Sequence, residues 1–96
     1  MQTEEYTERI YTAFPVNSLS TNVLAICAES GEVAHILKKK QFAKDMGIEP
    51  EEGRDELIEE LSDVLFHVAQ AAKNLGSSLN ELMETGVAKT EKRNNS

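Results

Sequence analysis

Asp55-Glu56-Leu57-Ile58-Glu59-Glu60-Leu61-Ser62-Asp63-Val64-Leu65-Phe66 contains no Gly or Pro, and its apolar residues recur every three to four positions. That spacing predicts a helix. At about 100° per residue from Glu60, Leu57, Val64, Val68, Ala71 and Leu75 fall within about 80°, while Leu61, Ala72 and Leu65 widen the arc on one side. Glu60 therefore lies inside the apolar stripe, and Asp63 sits about 60° to the other side. A carboxylate on a packing face is costly unless something compensates it.

The segment around Ala28-Glu29-Ser30-Gly31-Glu32-Val33 repeats the pattern. With Glu29 at zero, Ile26, Val33, Ile36 and Leu37 fall within about 80°, and Val23, Cys27 and Ala34 extend one flank. Glu32 lies about 60° away, as Asp63 does from Glu60. Two such helices packed side by side bring Glu29, Glu32, Glu60 and Asp63 together. Four ionised carboxylates repel, and a bound cation relieves the repulsion. Oxygen-only ligands suit the hard ions Mg²⁺ or Mn²⁺ rather than zinc. Acidic pairs three apart are most often solvated surface. What separates these two is their position inside the apolar arcs of neighbouring helices.

Four helices account for the chain. The first runs from about Thr3 to Phe14, where Pro15 stops it. The second opens near Ser20 or Thr21 and ends at Gln41 or Phe42, with Lys38, Lys39 and Lys40 in its last turn. The third starts at Pro50 or Arg54 and ends at Asn74, before Gly76. Acids in its first turns suit the positive end of the helix dipole. Ser78 with Glu81 is a capping-box pattern opening a fourth helix to about Arg93, after which Asn94-Asn95-Ser96 frays. No apolar–polar alternation predicts a strand. The expectation is an all-α fold, a single unit over residues 1–96 forming a four-helix-type bundle assembled through oligomerisation. The apolar residues that almost encircle the third helix, Leu65, Phe66, Val68 and Ala69, call for an oligomer.

With 96 residues and a net charge of −7, the chain lacks the basic face that a nucleic-acid polymer requires. A nucleotide substrate stays open, because a bound cation inverts the local field. No apolar run reaches membrane-spanning length. The acidic Met1-Gln2-Thr3-Glu4-Glu5 start lacks a signal region, which makes the cytoplasm the expected location. Cys27, the one cysteine, has apolar neighbours and is expected buried and reduced.

The two acidic strings, with Ser30-Gly31 and the Val64-Leu65-Phe66 run, resemble the MazG-like all-α nucleoside triphosphate pyrophosphohydrolases. Their pattern is Glu-x-x-Glu on one helix and Glu-x-x-Asp on the next. The resemblance covers about residues 20 to 93. It implies Mg²⁺-dependent hydrolysis of a (deoxy)nucleoside triphosphate to the monophosphate and pyrophosphate, often as nucleotide-pool house-cleaning, by dimers or dimers of dimers. It makes Glu29, Glu32, Glu60 and Asp63 the metal ligands and catalytic carboxylates. His67 stands where relatives carry an aromatic lining the nucleotide pocket. Lys89 and Arg93 match a basic pattern of the fourth helix, although Gly86 replaces its Asn. As further substrate contacts, Lys39 projects near the Glu32 side and Asn22 lies two turns before Glu29. Gly86 itself is expected to permit close helix packing, and His35 to be exposed.

Two other readings compete. A ferritin-like di-iron bundle needs two Glu-x-x-His motifs, and the chain offers one, Glu32 to His35. A non-catalytic helical dimerisation or adaptor module would use the acids to face a basic partner.

Overall fold

The computed structural model describes residues 1–95. Four helices make up the fold: α1 (Thr3–Ala13), α2 (Leu19–Asp45), α3 (Arg54–Asn74) and α4 (Leu79–Asn94). The described residues contain no strand. The chain is all-α, as its periodicity predicts. No helix among them is long and apolar enough to cross a membrane.

The ends of the helices follow local chemistry. α1 stops where Phe14 turns extended ahead of Pro15. Ser18, not Ser20 or Thr21, caps α2: its hydroxyl accepts from the Thr21 N–H at 3.1 Å and its carbonyl from the Asn22 N–H at 3.0 Å. At the other end α2 runs on to Asp45, so Lys44 occupies the last turn and Lys38, Lys39 and Lys40 lie before it. Pro50 stays in the loop and α3 starts at Arg54 behind Gly53. Gly53 has φ +71°, a backbone conformation that favours glycine, while a Cβ there would meet Ile36 Cγ2 at an ordinary contact distance of 3.4 Å. The Ser78 hydroxyl accepts from the Glu81 N–H at 3.1 Å, as the capping pattern predicts. Asn94 is still helical and Asn95 is the cap; the expected fraying of Ser96 lies outside the described residues.

Packing is concentrated in an antiparallel hairpin of α2 and α3. α1 and α4 touch α3 and each other, and neither contacts α2. The link to α1 is a Tyr11 hydroxyl donating to the Ala69 carbonyl at 2.7 Å, with the Lys73 ammonium 4.3 Å from the Tyr11 ring centre. The buried apolar residues are Ala69, Ala72 and Leu79. A radius of gyration of 16.6 Å exceeds the roughly 12.5 Å of a compact chain of this length. One copy is therefore an open hairpin with two appended helices, not a closed bundle. Cys27 is exposed, contrary to expectation. It lies on the flank of α2 turned away from α3, and nothing else among the described residues covers it.

Gly86 is likewise not needed for packing within the chain: a Cβ there would meet nothing within 4 Å. Gly86→Ala should stabilise the protein by about 0.5–1 kcal/mol. Gly53→Ala should destabilise it by about 1 kcal/mol or more. Urea unfolding of both variants checks the opposite signs.

Candidate metal centre

Two helices supply the site. α2 carries Glu29 near its middle and α3 carries Glu60 and Asp63, so the hairpin contact itself brings the acids face to face. One oxygen from each of Glu29, Glu60 and Asp63 lies within 4.8 Å of the others. Octahedral Mg²⁺ with 2.0–2.1 Å bonds spans at most about 4.2 Å between opposite ligands. Small side-chain rotations would close that gap. Glu29 and Glu60 are half-buried and Asp63 is exposed.

The acids feel one another. Glu60 is held above the ordinary carboxylate value of 4.5, first by a hydrogen bond with Glu29 that favours its protonated form. Desolvation and then the charges of Glu29, Asp63 and Glu32 push in the same direction. Glu32 is exposed and stands outside the close group of three, although its charge still reaches Glu60. Oxygen donors alone, at least two of them half-buried, suit a hard divalent cation.

The remaining sequence-derived residues divide by location. Lys39 is exposed and, with Ile36 and Glu56, lines a cleft of about 450 Å³ beside the α2–α3 loop. Glu56 is one turn before Glu60, so this cleft adjoins the acids along α3. Lys40 is held by the Glu52 carbonyl at 2.6 Å, and the Lys38 ammonium lies 5.5 Å from the Phe42 ring centre. His67, half-buried, stands edge-on to Phe66 with ring centres 5.0 Å apart, and its Nδ1 is buried without a hydrogen-bond partner. His35 is exposed as expected.

Lys89 and Arg93 lie on the exposed length of α4, which has no contact with α2. Within one chain they are not gathered with the three acids. Asn22 departs furthest from its expected position. It is fully buried, donating to Gln70 Oε1 at 3.0 Å and accepting from Asn74 Nδ2 at 2.6 Å. Its carboxamide is used inside the hairpin and is not presented to a ligand. Gln70 and Asn74 were passed over in the sequence. The available signal was a lone glutamine among Ala69, Ala71 and Ala72, a polar residue inside an otherwise apolar packing run.

The chain is thus an all-α protein that turns carboxylates from two adjacent helices toward one point. It belongs to the MazG nucleotide pyrophosphohydrolase family, whose domain model matches residues 17–96. It is also similar to the Gene 37 protein of Mycobacterium phage L5, at 35% identity over 78 residues, which is 81% of this chain and 68% of that protein. No solved structure matches the chain.

Because the raised Glu60 binds its proton more tightly folded than unfolded, its charged form costs stability in full above its folded-state pKa. The cost is relieved as pH falls toward 4.5. Glu60→Gln should therefore raise the melting temperature of the metal-free protein at pH 7, with a smaller gain near pH 4.5. Thermal unfolding at both pH values is the check, and equal gains would show that repulsion is not the cause.

Proposed function

We propose that the protein hydrolyses nucleoside triphosphates between the α- and β-phosphates, releasing the monophosphate and pyrophosphate, with Mg²⁺ as its ion and Mn²⁺ as a substitute. The observation that carries this is the convergence of Glu29, Glu60 and Asp63 within a chain of the MazG family. Glu32 would complete the ligand set after a change of side-chain conformation. When bound, the ion would neutralise the carboxylates and substrate oxygens and acidify water.

The chain's own groups contribute the rest. With a net charge of −7, it must hold a polyanion by local cations. Lys39, at the cleft next to the acids, is placed to take the β- or γ-phosphate. His67, one turn beyond Asp63 and flanked by Phe66, is placed to line the nucleoside end. A carboxylate of the cluster would hold the attacking water in line with the α-phosphorus and accept its proton. Removal of triphosphates from the nucleotide pool, by a protein acting as one unit over residues 1–96, is the role this activity would serve.

We also propose that the working form is a homodimer or homotetramer. Leu24, Leu37, Leu61 and Leu65 of the hairpin are 70%, 52%, 55% and 45% exposed, large apolar side chains that a second copy would cover. A second hairpin packed on that surface would complete a four-helix bundle and would bring another copy's α4, with Lys89 and Arg93, into the assembly. Light scattering should give twice or four times the chain mass. Leu61→Glu with Leu65→Glu should yield monomers.

The decisive assay is pyrophosphate release from a panel of canonical and damaged triphosphates. Glu29→Gln and Asp63→Asn should each lower turnover at least a hundredfold, and wild-type-like rates would remove the proposal. Mg²⁺ at a hundred times its dissociation constant should stabilise the wild type by about 2.7 kcal/mol, and Asp63→Asn by much less. A non-catalytic adaptor would show neither turnover nor this stabilisation.

A further inference from the structure

Asn22 and Gln70 are the largest fully buried side chains, and both are carboxamides; the buried apolar residues beside them are small or few, Ala69, Ala72 and Leu79. Asn22 Nδ2 donates to Gln70 Oε1 at 3.0 Å, and the Asn17 backbone N–H approaches the same oxygen at 3.5 Å. Asn74 Nδ2 donates to Asn22 Oδ1 and to the Asn17 carbonyl, both at 2.6 Å. Gln70 Nε2 is buried with no hydrogen-bond partner.

Such a cluster is a poor stabiliser. A buried donor left unpaired lowers stability, and apolar residues of similar volume often replace buried polar groups at no loss. What a directional polar contact supplies in a helix interface is register. Apart from the acids, the half-buried residues of α2 and α3 include the aliphatic Ala25, Ile26, Val33, Ile36, Leu57, Val64, Val68 and Ala71, and aliphatic ridges and grooves repeat every three to four residues. Such a surface tolerates a slide of one turn, about 5.4 Å. The three acids are mutually within 4.8 Å, so that slide would carry Glu29 away from Glu60 and Asp63.

We propose that Asn22 and Gln70, clamped by Asn74 and Asn17, are positioning residues that lock α2 against α3 in the register placing Glu29 opposite Glu60 and Asp63. The proposal rests on the reading of these acids as the metal centre. Asn22 lies seven residues before Glu29 and Gln70 seven after Asp63, so the lock sits two turns from the acids on both helices, about 10.5 Å away. A shift there is transmitted along stiff helices to the carboxylates. At the loop end, Lys40 to the Glu52 carbonyl is an exposed contact, less able to define register than a buried one.

The test compares the wild type with the Asn22→Leu, Gln70→Leu double variant, well below the melting temperature of each. One measurement is Mn²⁺ affinity. The other is the distance between spin labels on Cys27 and an introduced Glu59→Cys in metal-free protein, with labelled chains diluted among unlabelled ones. The lock predicts a melting temperature equal to or above wild type, Mn²⁺ affinity at least tenfold weaker, and a broadened or split distance distribution. A purely structural role would leave affinity and distance unchanged in the folded variant, and that result overturns the proposal. Should the double variant not fold, Asn74→Ala, at an exposed position, decides: about threefold weaker Mn²⁺ binding and a broader distribution support the lock, and wild-type values for both overturn it. If the wild type itself binds no Mn²⁺, the metal-centre reading fails, while the label distances still support or overturn the lock.

Discussion

Like charges facing one another across a helix pair are the constraint to which the rest of this molecule answers. The α2–α3 contact is the one extensive helix–helix contact among the described residues, and it places Glu29 against Glu60 and Asp63. An ordinary hairpin would gain by turning those acids outward. Their inward position raises the Glu60 pKa and gives the hairpin a fold that a doubly charged ion would complete.

The same constraint explains why so little of the chain is buried. The face of each helix that could have been apolar core is partly occupied by carboxylates, and the two largest fully buried side chains are amides. Aliphatic residues on the remaining faces stay exposed in a single copy. Stability and site formation thus draw on the same surfaces, and in the proposed oligomer a second copy would relieve the competition by covering the leucines without displacing the acids.

Much of the organisation was legible in the residues. Helix number and type followed from the apolar spacing around Glu29 and Glu60 and from local signals at the chain's other helices, the Ser78 cap and the Pro15 stop, which act within a few residues of themselves. Boundaries slipped where several residues could serve equally: Ser18, Ser20 and Thr21 are all competent caps, and only the Ser18 bonds to Thr21 and Asn22 distinguish them. The Cys27 and Gly86 expectations failed for a common reason. Both assumed neighbours that a closed bundle would supply and that an open hairpin does not.

The sequence by itself determined the all-α class, a neighbouring pair of acid-bearing helices and the inward bearing of Glu29 and Glu60. These depend on angles repeated every 3.6 residues and on local caps. Only the tertiary structure decided that Asp63 and not Glu32 joins the close group, that Asn22 faces Gln70 rather than a ligand, and that α4 stands away from α2. Those outcomes depend on how far one helix slides and tilts against another, a quantity set by contacts between residues some fifty positions apart, which no local pattern records.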